Sequence, residues 1–444
     1  MLGRHRLTVV GRRDRDPQQV GLADRRLALE PALDGDPQAE LLTHLADQRG
    51  VVGLARLDLA AGELPPTRRG CGRRTPRGEH ATVPDDRGAD HDPSLHIYSQ
   101  HVTSTPGSPG VHLLRTEENV AEIDALAERL GGRVGLPSLL RDLNRRARRT
   151  LAPGLAVHRA LTWDRADRRD PLWWPQGIST SADASDTEDV EGRRVLVVSW
   201  YAKDDRGARV TFLDLATRRY RHVLLVEPVV VDGRVDIKPL KVHAGGLVWH
   251  GPYLHVAATA RGVYTCRLDD LLRVPDDGPV HTHGYRYVLP LRFAYKAVTD
   301  EGLERLRYSF LSLDRSSSPA ELVVGEYGGT SQTRRLARFA LDPETQFLAV
   351  GEDGVSRPAV VDDGGVVRTQ GAAVAHGRWY LTRSTGPWVP GSIYVGTPGD
   401  FRRHRWATPM GPEDIAWWPS TDLLWSVTEH PRRRWVYSMK RSRF

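Results

Sequence analysis

The sequence contains very little cysteine. Only Cys71 and Cys266 occur among its 444 residues, and they fall in parts of the chain with very different compositions. A disulfide between them is therefore not expected, and two thiolates are too few for a zinc site made of cysteine alone. We expect the packing of apolar side chains to hold the folded part of the chain together.

Long apolar runs are missing too, and so is a strong charge of either sign. No stretch approaches the roughly 18 apolar residues of a membrane-spanning helix, so no membrane span is expected. Lysine and arginine number 63 against 56 aspartates and glutamates, and many arginines adjoin aspartates, as in residues 12–16. We therefore expect no nucleic-acid partner, and the chain is predicted to be a monomer.

The motifs of three common catalytic sites are absent from the sequence. It has no phosphate-binding loop, no Gly-x-Ser-x-Gly elbow and no His-Glu-x-x-His zinc helix. No cofactor is predicted. Any chemistry must therefore be sought in less specific arrangements of polar residues.

Aromatic residues are absent from the first 97 positions, although the whole chain has 12 Trp, 13 Tyr and 7 Phe. Aromatic rings dominate core burial, and the same stretch is rich in Arg, Asp, Gly and Pro, a composition typical of disorder. We predict residues 1–110 to be a low-complexity, disordered region. The competing hypothesis is a mis-assigned start, with the true protein beginning further along the chain.

The beginning of the chain also bears on where the protein is located. A secretory signal needs an apolar segment behind its basic residues, whereas Arg12-Arg13 runs directly into Asp14. A cytoplasmic protein is expected if the chain begins at Met1. A secreted protein is expected if the true start of the chain is a different one and includes a signal peptide.

Residues 111–154 are predicted to form a helical linker. Between residues 117 and 149, apolar side chains such as Ile123, Leu126 and Leu130 recur at helical spacing. The basic run 145–149 is interpreted as the solvated face of a helix.

From Pro175 onward, one pattern occurs five times. Each copy has a small or polar residue, a short apolar strand, a turn, a longer apolar strand, a second turn and an alternating third strand. Four-stranded repeats of roughly 40–50 residues are typical of propeller blades. We predict an all-β propeller over residues 155–444, five-bladed, with six blades as the alternative.

An irregular β-sandwich, the competing fold, would not explain five openings of like form. The copies also predict outer fourth strands. They are placed at residues 220–226, 286–291, 346–350 and 403–406. The fifth copy ends without one. Residues 155–163 are predicted to fill that place, which would join the two ends of the domain and remove its exposed sheet edges.

The polar residues that open the copies should converge on the central channel. Those predicted to bind a ligand are Gln176, His243, Tyr308 and Gln370. A ring of amides, one imidazole and neighbouring carboxylates suits a sugar or a cation. The alternative is that these groups bond to neighbouring backbone and tie the blades together.

Acidic residues supply the only catalytic candidates. Glu326 and Glu429 follow the second strands of the third and fifth copies, in turns predicted to form the opposite rim or a groove wall. A glycosidase needs two carboxyl groups about 5–5.5 Å or about 6.5–9.5 Å apart. The candidates are Glu326, Glu413, Asp414 and Glu429, although most such acids are solvated turn residues.

The pair His281 and His283 has the spacing of two metal ligands on one face of a strand. It lies in a loop rich in proline and aspartate and lacks a fixed third ligand. A surface turn is the preferred interpretation, and no metal is predicted.

Three segments resemble a group of exported actinobacterial propeller proteins that have no assigned function. They are Trp173-Trp174-Pro175-Gln176-Gly177-Ile178, Val198-Ser199-Trp200-Tyr201, and residues 412–416 through 425–429. The resemblance covers residues 155–444 and implies a propeller and export behind a signal peptide, but no catalytic residues. We predict a rigid ligand- or carbohydrate-binding surface. The alternative is a glycoside hydrolase with paired carboxylates at the channel mouth.

Overall fold

The computed structural model describes residues 110–444, and most of its regular structure is β-strand. The predictions for the first 109 residues lie outside this part of the chain. No helix within residues 110–444 is both long and apolar enough to cross a membrane.

A short mixed segment precedes the first repeat. Its elements are β1 Val111–Arg115, α1 Val120–Leu130, α2 Gly135–Arg141, β2 Arg145–Arg146, β3 Arg148–Arg149 and β4 Val157–Thr162. Helix α1 buries Ile123, Leu126 and Leu130, as their spacing predicts. Gly131 ends this helix with a φ of 86°, a left-handed conformation that glycine adopts without a steric penalty.

The predicted helix over residues 145–149 is wrong. Arg145 of β2 pairs with Tyr220, and Arg148 of β3 pairs with Thr162. Ala147 is buried between these two short strands, and its N–H donates to the carbonyl of Arg218. The backbone partners of these two strands are β8 and β4. Local periodicity does not reveal such partners.

The strands belong to four sheets, one of 13 strands, two of four strands and one of five strands. The elements after β4 are described as five units, each beginning with an inner strand. Unit 1 and its additions comprise α3 Arg165–Arg169, β5 Trp173–Thr180, α4 Ser181–Ala184, β6 Val195–Ala202, β7 Ala208–Asp214, β8 Arg219–Val231 and β9 Arg234–Pro239. Unit 2 comprises β10 Leu247–His250, β11 Tyr253–Ala258, β12 Gly262–Arg267, the added β13 Leu272–Arg273 and β14 Tyr287–Thr299.

The last three units follow the same order along the chain. Unit 3 comprises β15 Phe310–Asp314, β16 Glu321–Gly325, β17 Leu336–Ala340, the added β18 Val355–Ser356 and β19 Val360–Asp362. Unit 4 comprises β20 Thr369–Ala375, β21 Arg378–Arg383, β22 Ser392–Thr397 and β23 Asp400–His404. Unit 5 comprises β24 Pro412–Trp418, β25 Leu423–Thr428 and β26 Trp435–Lys440.

The innermost strands of the units contact one another in a ring. β5 contacts β10, then β10 contacts β15, β15 contacts β20, β20 contacts β24, and β24 contacts β5 again. The second strand of unit 1, β6, is buried on both faces along its first six residues, because neighbouring units cover both sides of it. The chain is therefore an all-β propeller.

Unit 5 is completed by the strand that precedes unit 1. Val436 of β26 pairs with Leu161 of β4, so the two ends of the domain share one sheet, as the sequence predicts. One other outer strand lies elsewhere than expected. Residues 346–350 contain only an isolated bridge from Leu348 to Leu341, and β19 takes the outer place in unit 3. The outer strand of unit 4 is β23, which overlaps the predicted residues and begins before them.

Glycines allow the inner strands to approach closely. A Cβ on Gly246 would overlap the backbone N of Leu311, and a Cβ on Gly371 would overlap the Cα of Asp414. A Cβ on Gly177 would come within 2.7 Å of the carbonyl carbon of Gly246. Since the obstacles are backbone atoms, no side-chain rotation relieves these contacts.

Replacing Gly246 by alanine should therefore destabilise the domain. The added methyl group would force β10 and β15 apart, and overpacking of this kind costs about 1–3 kcal/mol. The midpoint of urea unfolding measures the effect. Gly329→Ala is the matched control, because the nearest atom to its added Cβ would be 3.5 Å away. Equal midpoints for the two variants would contradict the close-approach argument.

Candidate functional site

The antiparallel register brings the start of each inner strand beside the end of the next strand. Trp174 pairs with Tyr201, Phe310 with Gly325, and Pro412 with Thr428. The turns after the second strands therefore lie at the same mouth of the propeller as the residues that open the copies. The prediction that these turns form the opposite rim is wrong, because an antiparallel hairpin returns the chain to the end of the propeller at which its first strand began.

Three predicted residues from two neighbouring units meet at this mouth. Gln176 donates from Nε2 to Glu429 at 3.3 Å. The carboxyl group of Glu413 lies close enough to Glu429 for the two to influence each other's pKa. Nε2 of His430 lies 3.5 Å from Glu429. Glu413 is 3 % exposed and Glu429 is 8 % exposed. The structure thus contains a buried pair of carboxyl groups capped by an amide and an imidazole.

The acid pair holds a proton because both carboxyl groups are buried. Burial, followed by the negative charges of Glu429 and Asp414, raises the pKa of Glu413 well above its usual value. Burial also raises the pKa of Glu429 to about 7, against the opposing effects of the Gln176 hydrogen bond and the charge of Lys203. Two carboxylates in contact repel each other, so one shared proton is the stable arrangement near neutral pH.

Aromatic and cationic side chains surround the pair. The ammonium group of Lys203 lies 3.2 Å from the ring centroid of Trp174, and the rings of Trp174 and His430 meet edge to face at 5.6 Å. The ring of Tyr201 packs on His243 at 4.4 Å. Burial raises the pKa of the Tyr201 hydroxyl, and so do the negative charges of Glu429 and Glu413. Tyr201 therefore lies between the acid pair and His243, a predicted ligand-binding residue.

An exposed tryptophan stands on the neighbouring unit. Trp388, in the turn between β21 and β22, is 74 % exposed, and the guanidinium of Arg433 lies 3.8 Å from its ring centroid. Arg433 belongs to the same turn as Glu429. Trp388 has no signal in the sequence, because a lone tryptophan in a proline- and glycine-rich turn shows no periodicity.

Asp414 lies next to Glu413 in sequence but serves the ring of strands. Its Oδ2 accepts from the backbone N–H groups of Ile178 at 3.2 Å and Leu247 at 3.3 Å. Burial raises the pKa of Asp414 well above its usual value, against the effect of these bonds. The side chain ties the inner strands of three units together.

The remaining predicted residues have surroundings of their own. Glu326 is buried and bonds to Arg335 at 2.9 Å and to the N–H of Arg307 at 3.1 Å. These partners lower its pKa although burial, the largest single influence, opposes them. Tyr308 is buried in the apolar core beside unit 3, and Gln370 is half-buried at a bulge of β20.

A buried ionic cluster that the sequence analysis missed lies behind the mouth. Asp167 of α3 accepts from Arg209 at 3.3 Å, from the hydroxyl of Tyr220 at 2.7 Å and from Nε2 of His222 at 2.9 Å. Arg434 connects the cluster to the mouth, because it donates to the carbonyl oxygens of both Asp167 at 2.6 Å and Glu429 at 2.7 Å.

The two histidines of the His281/His283 pair lie in a loop, with their ring centroids 4.5 Å apart. Within residues 110–444 no group of three or more His, Cys, Asp or Glu side chains is arranged to hold a metal ion. His283 instead lines a cavity described below.

The fold and the mouth define the class of the protein, a β-propeller with a polar, aromatic-lined channel mouth. No protein-family model matches the sequence. No curated protein matches it either. Among solved structures, a gluconolactonase from Xanthomonas campestris is 15 % identical, covering 67 % of this chain and 85 % of that one, with a TM-score of 0.30.

Two further solved structures have comparable similarity. A GH43_1 enzyme from Xanthomonas citri is 12 % identical, covering 72 % of this chain and 92 % of that one, with a TM-score of 0.30. The Dos1 propeller is 10 % identical, covering 64 % and 66 %, with a TM-score of 0.23. Similarities at this level carry no argument about activity, which must come from the side chains themselves.

Proposed function

We propose that this protein is a carbohydrate-binding propeller that takes a saccharide at the channel mouth. The observation that carries the proposal is the buried pair Glu413 and Glu429, with Gln176 hydrogen-bonded to Glu429. A carboxyl group, a carboxylate and an amide offer both donors and acceptors, which a sugar's hydroxyl groups require. Trp174 and Trp388 add aromatic surface. A small number of polar groups placed among aromatic side chains is typical of small-molecule sites.

Binding is favoured over catalysis because the two acids are buried side by side. A retaining or inverting glycosidase places its carboxyl groups on either side of the scissile bond, about 5–5.5 Å or about 6.5–9.5 Å apart. Glu413 and Glu429 are 3 % and 8 % exposed and act on each other's pKa, so they do not have the solvent access of acids that flank a bound substrate. Binding of an external glycan also fits the export that the sequence resemblance implies.

The binding proposal predicts that Trp388→Ala weakens saccharide binding. The variant removes an exposed ring at the mouth, and loss of such an aromatic contact should reduce affinity by about tenfold, or 1.4 kcal/mol. A glycan array followed by calorimetric titration with the best oligosaccharide measures this. Gln176→Ala tests the polar part of the same site.

Trp406→Ala is the matched control for this experiment. Trp406 is 53 % exposed but follows β23, the outer strand of unit 4. Its replacement should leave saccharide affinity unchanged. The proposal fails if no saccharide binds, or if Trp388→Ala and Gln176→Ala both bind as tightly as the native protein.

A glycoside hydrolase is the second candidate, and one observation favours it. Burial raises the pKa of Glu429 to about 7, as a general acid working near neutral pH requires. Incubation of the bound saccharide with the native protein should then release reducing ends. Glu429→Gln should lower that rate by at least about a hundredfold. No release from any bound saccharide would leave the binding function alone.

A further inference from the structure

A second concave surface lies where unit 1 meets the loop of residues 281–286. It encloses about 280 Å³, and its wall carries five arginines. They are Arg145, Arg206, Arg209, Arg221 and Arg286. Among the described residues that line it, none is an aspartate or a glutamate. A wall of this composition is typical of a site for an anion.

Arg209 at the base of this cavity is held rigidly. It is 3 % exposed, and its guanidinium carbon lies 4.5 Å from the ring centroids of both Trp173 and Trp200. One terminal nitrogen donates to the hydroxyl of Tyr285 at 2.9 Å and the other to Asp167 at 3.3 Å. Its Nε is buried and has no hydrogen-bond partner within the described chain. Arg209 is therefore a fixed cation in the cavity wall, and its Nε is a buried donor without a partner among residues 110–444.

The other four arginines keep donors available as well. Arg221 contacts Asp142 through Nη1 and Arg286 contacts Asp276 through Nη1. Arg145 likewise uses Nη1 for its aspartate contacts, and Arg206 uses Nε. A guanidinium carries five N–H donors, so one contact leaves the remaining nitrogens for a ligand. The acidic partners do not themselves line the cavity.

We propose that this cavity binds a small molecule through its phosphate or sulfate group. Planar guanidinium groups match the oxygens of such an anion in pairs, and bonds between charged partners are about twice as strong as neutral ones. The volume is near the lower end of the range for small-molecule sites. The ligand is therefore an oxyanion with at most a small organic part, and Trp173 and Tyr285 offer that part aromatic contact.

Calorimetric titration of the full chain with inorganic phosphate, and separately with sulfate, tests the proposal. Each titration runs at constant ionic strength with sodium chloride as the competing salt, so that non-specific screening is held fixed. Saturable binding of one anion per chain is expected. Tighter binding of phosphate would point to a phosphorylated ligand, and tighter binding of sulfate to a sulfated one.

Two rim variants connect the binding to the cavity. Arg206→Gln and Arg286→Gln should each weaken anion binding about tenfold, because each removes a charge-assisted contact worth about 1.4 kcal/mol or more. Arg441→Gln is the control, since Arg441 is similarly exposed and pairs with Asp422 away from the cavity. Thermal unfolding of each variant confirms that it is folded.

Either of two results would overturn the proposal: no saturable binding of phosphate or sulfate, or binding that Arg206→Gln and Arg286→Gln both leave intact. The site is separate from the acid pair. Saccharide binding by these variants should therefore be unchanged, and the outcome here is independent of the function proposed for the channel mouth.

Discussion

Replacing Asp167 by alanine should lower the free energy of unfolding by about 3–5 kcal/mol, because it removes one partner from a buried ionic network. Four side chains point at this carboxylate: Arg145, Arg209, Tyr220 and His222. Two of them are cations that would lose their nearest negative charge. Burial alone would raise the pKa of Asp167, but His222 and the two arginines hold it far below its usual range.

The state of His222 explains why the network depends on the carboxylate. Burial, followed by the charge of Arg209, lowers the pKa of His222 to about 4, so the imidazole is neutral at pH 7. Its Nδ1 lies 2.6 Å from the hydroxyl of Thr211 and its Nε2 lies 2.9 Å from Asp167. A neutral ring that accepts from Thr211 must donate to Asp167. In the alanine variant this donor would be buried without a partner.

Urea unfolding at pH 7 measures the change at Asp167. Asp353→Ala is the control, because Asp353 pairs with Arg357 on the exposed surface, where ion pairs contribute little to stability. Its unfolding midpoint should match that of the native protein. An Asp167→Ala variant as stable as the native protein would mean that the network is not stabilised by its central carboxylate.

Sequence alone predicts the architecture of this fold well, because each copy repeats the same signals. Apolar residues on both faces of β6 mark a strand covered by neighbours on two sides, and the missing outer strand of unit 5 predicts closure by β4. The errors occur where a strand depends on pairing that its own residues do not signal. The residues of β2 and β3 carry no alternating pattern, and Leu348 is buried in an isolated bridge to Leu341 rather than in a strand.

The candidate site is predictable only in part. Gln176 and Glu413 open two copies, so their convergence follows from the repeat. The role of Asp167 does not follow from the repeat, because the run Arg165–Arg169 has the composition of a solvated surface helix. Its partners come from strands of unit 1 and, through Arg434, from unit 5. Only the three-dimensional arrangement shows that this charged run is turned inward.

The buried acids Glu413, Asp414 and Glu429 should lower the stability of the protein as the pH rises from 5 to 8. The lowered pKa values of His222, His255 and His430 oppose this effect below about pH 6.5, so the net fall is expected between about pH 6.5 and 8. The folded pKa values of Glu413, Asp414 and Glu429 are all raised, chiefly by burial. The folded state therefore binds protons that the unfolded state has released, and the free energy of unfolding decreases with pH. Raising the pKa of Glu429 to about 7 contributes about 2–3 kcal/mol to this decrease. Asp167 has the opposite shift, and its contribution is lost only at more acidic pH.

Glu413→Gln should flatten this pH dependence. The amide of the variant can donate to Glu429 as the shared proton does, so Glu429 can ionise without a second charge beside it. The variant should be about as stable as the native protein at pH 5 and more stable at pH 8, as urea unfolding across this range would measure.

Glu326→Gln is the control, because Glu326 is an equally buried acid that is already ionised beside Arg335. That variant should lose stability by about 3–5 kcal/mol across the same range. An undiminished slope in Glu413→Gln would mean that the proton is not shared between Glu413 and Glu429, and the proposed donor at the mouth would be lost with it.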